Sequence, residues 1–412
     1  MTTVDDARSL AQDGVGDEMV DQSAPEGPTQ QVDCLIVHQF DAARPSPGGI
    51  DTCIRGLITY SPAGMTIAIA GVDSGAPVAG RTLGVWELHQ IGGRDVWFLP
   101  VARLDPGNQA RLIPHALRLM AGVSKYRSRL PQASVIHAHR ADTALAVRTL
   151  LGHPLVYFIH TQEGGLTSAT SDSVWRFAGR AHAAMERSVV GGAAGVVVFN
   201  PAYAEVVHEH NELAIFSPTW FDPALLAWAD EPAEPHRVVW VGRLEEPKDP
   251  ALALEVFSRL LEAGDDLPWT LEIVGAGTLA TDLETKVAAL PAHVAERVRL
   301  RGRLTPREVA EVMGGSGVFL MTSHPGYEGF PMVLVEALAS GLPAVVTEGS
   351  DTGGIISRGL NGMVSARDPG LLAAAIMSAV SYDRDVVRKS ADAYSAPELV
   401  GRIFDATFPT EK

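Results

Sequence analysis

Short apolar runs, separated by amphipathic or alanine-rich segments, recur along almost the whole chain. In the first half they begin at positions 33, 66, 95, 135, 155 and 195. Runs that are apolar at every position are typical of parallel strands buried on both faces of a sheet. Their alternation with segments of helical periodicity predicts a doubly wound α/β sheet.

A proline-rich, polar stretch at 217–236 interrupts this alternation, which then resumes with runs at 237, 269, 298, 318 and 344. A chain of 412 residues with 46% hydrophobic composition is long enough to bury two cores. We therefore predict two Rossmann-like domains. The predicted division is a disordered acidic tail at 1–32, an N-terminal domain at 33–216, a linker at 217–236, a C-terminal domain at 237–385, and a helical segment at 386–412 that crosses back to the first domain.

The formal net charge of −16 argues against nucleic acid as a partner, because neutralising phosphates requires clustered Lys and Arg. The chain lacks a run of 18 apolar residues and its N-terminus is acidic where a signal peptide would be basic, so we expect neither export nor a membrane span. Cys34 lies in an apolar run and Cys53 is the only other cysteine, which makes a disulfide framework unexpected. A cytoplasmic location fits these features best.

The most informative motif follows the apolar run at 318–321 and contains Glu328 and Glu336. Pro331 suits the first turn of a helix, which puts Glu328 in the loop before that helix and Glu336 inside it. The free N–H groups of such a helix end form a seat for phosphate. They belong to Phe330, Met332 and Val333. The alternative is that Glu328 caps the helix and Glu336 is a solvated helix residue.

A second candidate loop, with Gly242, Arg243 and Lys248, follows the run at 237–241. Two cations beside a glycine at a strand end are suited to stabilising a diphosphate leaving group. The alternative is a surface loop in which Lys248 pairs with Glu245 or Glu246. Gly48 and Gly49 form a similar turn after the first run.

Histidines at strand ends, His137, His139 and His160, can orient a hydroxyl or stabilise charge, or they can be structural. The spacing of His and Cys matches no metal site. Gly275 and Gly277 satisfy a dinucleotide fingerprint, but the next strand ends in Arg301-Gly302 without the acid that would hold a ribose, so nicotinamide binding is not expected.

Together these segments resemble the retaining family 4 glycosyltransferases of the GT-B fold over roughly residues 33 to 405. The family's Glu-x7-Glu motif corresponds to Glu328 and Glu336, and its Gly-Gly turn to Gly48 and Gly49. Its donor loop corresponds to Gly242, Arg243 and Lys248. The resemblance implies an N-terminal acceptor domain and a C-terminal donor-nucleotide domain.

Carried over residue by residue, the resemblance implies a division of roles. Arg243 and Lys248 hold the donor diphosphate, Glu328 contacts the transferred sugar, and Glu336 binds the ribose. His160 lies beside the reacting sugar, and His139 lies on the acceptor side. The other donor-binding positions that the resemblance implies are Arg303 and Leu304 at the base, and Gly329, Phe330, Pro331, Met332 and Val333 at the helix end.

One departure concerns the segment after the helix, where Thr352 and Gly353 resemble a variant found in enzymes of lipopolysaccharide, capsule and wall-polymer assembly. Gly354 stands where that variant has proline. The resemblance implies a hexosyltransferase that retains configuration and needs neither metal nor cofactor. It would use a nucleotide sugar, with UDP favoured, and a glycan, glycolipid or lipid-linked acceptor.

Two other functions stay open from the residues alone. One is a non-hydrolysing sugar-nucleotide epimerase or a phosphorylase of the same fold, and the other is a non-catalytic sugar-nucleotide-binding protein. The basic segment from Arg103 to Arg129 also has two interpretations. It is either an ordinary helix packed through Leu112, Ile113, Ala116, Leu117, Met120 and Val123, or a patch for peripheral contact with the inner face of the cytoplasmic membrane.

Overall fold

The computed structural model describes residues 27–28, 31–45, 48–76, 78–104, 115–160, 179–226, 234–263 and 267–408. Most of the predicted acidic tail lies outside these ranges, as do Arg111, Leu112 and Ile113 of the basic segment. Both cysteines are free and buried, as expected. Among the described residues, no helix has both the length and the apolar character needed to cross a bilayer.

The N-terminal domain is built on an eight-stranded sheet with the order β3-β4-β2-β1-β5-β6-β7-β8. Its strands are β1 (Gln31–Val37), β2 (Ile67–Asp73), β3 (Glu87–Ile91), β4 (Arg94–Arg103), β5 (Gln132–Ala138), β6 (Leu155–Ile159), β7 (Gly195–Val198) and β8 (Ala214–Phe216). Its helices are α1 (Gly49–Thr59), α2 (His115–Lys125), α3 (Ala141–Leu151), α4 (Gly179–Gly191) and α5 (Pro201–His208).

The C-terminal domain is built on a six-stranded parallel sheet with the order β11-β10-β9-β12-β13-β14. Its strands are β9 (Glu234–Val241), β10 (Thr270–Val274), β11 (Val298–Gly302), β12 (Ser316–Met321), β13 (Ala344–Thr347) and β14 (Gly362–Ser365). The remaining helices are α6 (Pro250–Glu262), α7 (Ala280–Ala288), α8 (Ala292–Ala295), α9 (Pro306–Gly314), α10 (Met332–Ala339), α11 (Pro369–Ala379), α12 (Arg384–Lys389) and α13 (Ala396–Thr407).

The predicted fold class, two Rossmann-like parallel sheets, is confirmed. The strands β2 and β12 are buried along their whole length, which explains why their sequences are mainly apolar. The all-parallel expectation fails at one edge, where β3 pairs with β4 in antiparallel orientation. The sequence of β3 alternates between exposed and less exposed residues, so it lacks the continuous apolar run by which the other strands were found.

The last helix, α13, packs against the N-terminal domain although it follows the C-terminal domain in the chain. Leu399, Val400 and Phe404 share one buried cluster with Val135 of β5 and Phe158 of β6. The apolar face of this amphipathic helix is thereby buried against the N-terminal domain.

The helix α2 carries the described part of the basic segment. Ala116, Leu119 and Val123 are buried, but Leu117 is 61% exposed, so its predicted place on the packed face is wrong. Leu117 instead lies on the solvent side, next to Arg118 in the chain. The apolar periodicity does not decide the side on which Leu117 lies, because the preceding residue, Ala116, is buried and the following residue, Arg118, is exposed.

Candidate active site

The predicted site residues follow the carboxyl ends of strands in both sheets. His139 follows β5 and His160 follows β6 in the first domain, whereas Arg243 follows β9 and Ser323 follows β12 in the second. Open α/β sheets bind ligands at this edge, in the crevice outside the strand ends.

The central contact joins Lys248 to Glu328. The Lys248 ammonium nitrogen lies 2.5 Å from Oε1 of Glu328, and the Ser323 hydroxyl donates to the same oxygen at 2.6 Å. Both partners of the ion pair are largely buried, with side chains 15% and 10% exposed. Lys248 therefore pairs across the site with Glu328, and the alternative pairing with Glu245 or Glu246 is wrong.

The backbone around Lys248 is fixed by hydrogen bonds from β12. The Thr322 hydroxyl donates to the carbonyl groups of Lys248 and Asp249, and it accepts a hydrogen bond from Trp240 Nε1 at 2.8 Å. Arg367 bonds both the Asp249 carboxylate, at 2.5 Å, and the Thr322 carbonyl, at 2.7 Å. The loops after β9 and β12 are thus held together as one unit.

Asp249 is the single described non-glycine residue with positive φ, at 44°. Asp tolerates this left-handed conformation better than most residues, because its short side chain bonds nearby backbone. Here its carboxylate accepts from the Leu252 N–H at 3.1 Å and caps α6, whose first residue is Pro250. The Asp-Pro pair is a helix-start signal in the sequence that could have identified this turn.

Arg243 lies beside this pair but has different partners. Its guanidinium bonds Glu245 at 2.9 Å and the Tyr327 hydroxyl at 2.7 Å, and the side chain is half exposed. Tyr327 was not predicted from the sequence, although it directly precedes Glu328. Arg243 therefore has an exposed edge from which it can reach a ligand.

Gly275 and Gly277 support the Arg243 loop from behind. A Cβ at Gly275 would lie 1.8 Å from the Gly242 carbonyl oxygen, and one at Gly277 would lie 2.3 Å from the Leu244 carbonyl oxygen. These glycines permit two loops to pack backbone against backbone. Their match to the dinucleotide fingerprint is explained by this packing.

The helix α10 begins after Pro331, its N-cap, and Glu336 lies inside it as predicted. Burial raises the pKa of Glu336 to about 7, and the negative charge of Asp222 acts in the same direction. The alternative description of Glu336 as a solvated helix residue is therefore wrong. A carboxyl group with this pKa changes its charge near neutral pH.

The segment 351–356 closes over the start of α10. The Thr352 hydroxyl donates to the Gly329 carbonyl, and a Cβ at Gly353 would lie only 2.3 Å from the Phe330 ring. The Asp351 carboxylate accepts from the N–H groups of residues 355 and 356, at 3.0 and 2.8 Å. Gly354, which replaces the expected proline, has φ of 60°, a value proline cannot adopt.

The Glu328 loop meets the N-terminal domain at His160. A Cβ placed on Gly329 would lie 3.1 Å from the His160 carbonyl oxygen, so glycine permits a close approach of the two domains. His160 is half-buried, and burial lowers its pKa to about 3. His139 Nδ1 lies 2.9 Å from His160 Nε2. The fold thereby brings His139 and His160 together with Gly329, the residue that follows Glu328.

The two remaining sets of predicted residues lie at the rim of the same crevice. Gly48 has φ of 137° and precedes α1, which begins at Gly49. Arg303 donates to the Pro45 carbonyl at 3.0 Å and so links the second domain to this turn. Leu304 is partly buried against the core around Phe319.

Two facing Rossmann-like domains, with a cation–carboxylate pair and a helix N-terminus at the crevice between them, define the GT-B fold. Residues 235–381 match the family model described as Glycosyl transferases group 1. These residues form a domain of that family.

Several relatives and solved structures named as glycosyltransferases are similar to this chain. The amylovoran biosynthesis glycosyltransferase AmsK of Erwinia amylovora is 30% identical over 159 residues, which are 37% of this chain and 38% of AmsK, so the match spans well under half of either protein. A D-inositol 3-phosphate glycosyltransferase of Arthrobacter sp. is 26% identical over 77% of this chain and 79% of its own. The structure of WaaG, a glycosyltransferase involved in lipopolysaccharide biosynthesis, has a TM-score of 0.63 at 16% identity and covers 91% of this chain and 99% of WaaG.

Proposed function

We propose that this enzyme transfers a hexosyl group from a nucleoside-diphosphate sugar, with a UDP-sugar favoured, to an acceptor hydroxyl with retention of configuration. The observation that carries the proposal is the buried Lys248–Glu328 pair beside the N-terminus of α10. The Lys248 ammonium group suits a diphosphate, and the Glu328 carboxylate suits sugar hydroxyls. A UDP-glucose complex of the similarly folded HepE from Anabaena supports the choice of nucleotide.

In the proposed reaction the donor diphosphate lies between the start of α10 and the cations Arg243 and Lys248. Negative charge develops on the diphosphate as the sugar leaves, and preorganised positive groups stabilise that charge without a metal ion. Glu328 accepts hydrogen bonds from the transferred hexose, and Glu336 accepts them from the ribose. The acceptor hydroxyl attacks from the face that the diphosphate leaves and gives its proton to the departing diphosphate oxygen, so the configuration is retained.

The donor proposal is tested with a panel of UDP-, GDP- and ADP-sugars. A bound ligand raises the melting temperature by mass action, and slow hydrolysis reports the chemical step. We expect one nucleotide class to stabilise the wild type, and Lys248→Ala to abolish both effects. Lys286→Ala is the matched control, because Lys286 pairs with Asp282 on α7, outside the site. Failure of every nucleotide sugar to change the melting temperature would contradict the proposal.

Stereochemistry and metal dependence need separate measurements. The anomeric proton coupling of the product should report the configuration of the donor, and activity should survive EDTA. Inverted product would refute retention, and loss of activity restored by Mg²⁺ or Mn²⁺ would refute metal independence. Interconversion of UDP-sugars without an acceptor would instead favour an epimerase.

We further propose that the acceptor belongs to cell-surface polysaccharide or glycolipid assembly in the cytoplasm. Several relatives are named for amylovoran or colanic acid biosynthesis, which supports this choice. The exposed Leu117 and Arg118 on α2, with exposed Lys125, Arg127 and Arg129, suit peripheral contact with an anionic membrane. Binding to vesicles with anionic lipid should be lost in a charge-reversal variant of these four basic residues. High salt should weaken the binding of the wild type. Vesicle binding that is unchanged in the variant and at high salt would exclude the contact.

A further inference from the structure

Two histidines from neighbouring strands form a hydrogen-bonded pair at the domain crevice. His139 Nδ1 lies 2.9 Å from His160 Nε2, and the two ring planes are inclined by only 28°. His139 stacks on Phe158 with ring centroids 4.5 Å apart, and His160 stacks on Phe199 at 4.9 Å. Aromatic packing on both sides therefore fixes the orientation of each ring.

Both imidazoles are neutral. Burial lowers the pKa of His160 to about 3 and holds the pKa of His139 well below its usual range. Within the described ranges no hydrogen bond joins a carboxylate to either ring. Arg140 and Asp142, the charged side chains that act on neighbouring His38, pair with each other at 2.8 Å. Between two neutral imidazoles, one nitrogen must donate the proton and the other must accept it.

The far nitrogen of His139 decides which ring donates. His139 Nε2 is buried and has no hydrogen-bond partner among the described residues. If His160 donated, His139 would carry its proton on Nε2 and leave a buried N–H unsatisfied. If His139 donates, only an acceptor is unsatisfied, and a buried acceptor without a partner is the less unfavourable arrangement. Cys53 lies beside the pair, and burial raises the pKa of its thiol, so it stays protonated and offers no negative charge to Nε2.

We propose that His139 is a positioning residue that donates from Nδ1 to His160 and so holds His160 in the tautomer protonated on Nδ1. His160 then acts as a hydrogen-bond donor to a substrate oxygen, and no proton is transferred to it. The oxygen is a hydroxyl of the transferred hexose or an oxygen of the departing diphosphate. This role in the reaction rests on the proposed glycosyl transfer, whereas the tautomer itself does not.

The tautomer is measured by long-range ¹H–¹⁵N correlation NMR on the full chain labelled with ¹⁵N-histidine, with His160→Gln used to assign the signal. We expect Nδ1–H in the ligand-free wild type. His139→Asn should keep it, because the Asn amide can donate from nearly the same position as Nδ1. His139→Leu should release His160 to a mixture of tautomers. His137→Leu is the control, since His137 lies on β5, two residues before His139, and is buried against Phe158 and Phe404.

Kinetics then separate positioning from folding. We expect His139→Leu to lower kcat about 10- to 100-fold, the size of loss that follows misplacement of a catalytic group. The KM for the nucleotide sugar should change less than about twofold by the same reasoning, because ground-state binding is retained. His139→Asn should recover most of kcat, and melting temperatures show whether each variant folds.

Three results would overturn the inference: a wild-type His160 protonated on Nε2, an unchanged tautomer in folded His139→Leu, or one equivalent of tightly bound zinc that is lost in Cys53→Ala. The last result would make both histidines metal ligands. Because the NMR measurement uses the ligand-free enzyme, an incorrect donor assignment would leave its outcome unchanged. Failure of the proposed function and failure of the tautomer assignment are therefore distinguishable.

Discussion

The Lys248 ammonium nitrogen and the Glu328 carboxylate lie 2.5 Å apart, although 80 positions separate the two residues in the chain. The contact is shielded from solvent, so each charge depends on the other for its stability. A ligand that enters the site must compete for both charges. Variants at Glu328 thus test binding and chemistry together.

We expect Glu328→Gln to lower kcat about 100-fold, the loss typical of removing one preorganised electrostatic contact. The amide keeps the shape of the side chain but removes the charge that pairs with Lys248. Steady-state kinetics with the donor identified by the sugar panel measure the effect. The control is Glu262→Gln, since Glu262 is solvent-exposed and pairs with Arg259 at the end of α6. An equal loss in both variants would mean that Glu328 has no special role.

Glu336 should make nucleotide binding depend on pH. Its pKa of about 7 means that the carboxyl group is largely protonated at pH 6 and ionised at pH 8. The carboxylate is the better acceptor for ribose hydroxyls, so we expect UDP to bind more tightly as the pH rises through about 7. Calorimetric titration across this range measures the change. Glu336→Gln should flatten this dependence, and a wild type without it would contradict the ribose role.

Glu336 should also affect stability with the opposite sign. Between its ordinary pKa of 4.5 and the raised value of about 7, the folded state binds more protons than the unfolded state. The free energy of unfolding must therefore fall as pH rises through this window. Denaturant unfolding of wild type and Glu336→Gln at pH 5 and pH 8 isolates this contribution. A variant with the same pH dependence as wild type would show that the pKa is not raised.

Gly353→Ala should displace the Phe330 ring, because the new methyl group would lie 2.3 Å from it. We expect a loss of about 1–3 kcal/mol in the free energy of unfolding, the usual cost of overpacking. Donor binding should also weaken, because Phe330 precedes Pro331, the N-cap of α10, and the start of α10 is the proposed diphosphate site. Gly401→Ala is the control, since a methyl group there would meet no neighbour within 4 Å. Relief of the loss in a Phe330→Leu background would confirm the clash.

Asp249→Ala should both destabilise the protein and weaken donor binding. It removes the cap of α6, worth about 1 kcal/mol, and leaves the Arg367 guanidinium without its carboxylate. Asp368→Ala is the matched control, because Asp368 caps α11 in the same way outside the site. Asp368→Ala should lose a similar free energy of unfolding but keep its donor affinity. That result would assign the binding defect of Asp249→Ala to the Lys248 loop. Unchanged donor affinity in Asp249→Ala would contradict that assignment.

Much of the fold was predictable because buried parallel strands require apolar residues at every position. The edge strand β3 was not, since a half-exposed strand alternates in polarity and resembles a loop. Leu117 shows the same limit on a helix. The apolar pattern correctly predicted that Ala116 and Val123 are buried, but Leu117 is exposed. The packing of Gly275 and Gly277 against the Arg243 loop was visible only in three dimensions.

Local sequence patterns predicted the alternation of strands and helices and the two sheets, and they placed His139, His160 and Arg243 directly after strands. These follow from local polarity and from the rules that connect parallel strands. The three-dimensional packing was needed to show that Lys248 pairs with Glu328, that the charge of Asp222 acts on Glu336, and that His139 bonds His160. Such contacts join residues from separate strands and domains, and their distances depend on how the two sheets pack, which no local pattern encodes.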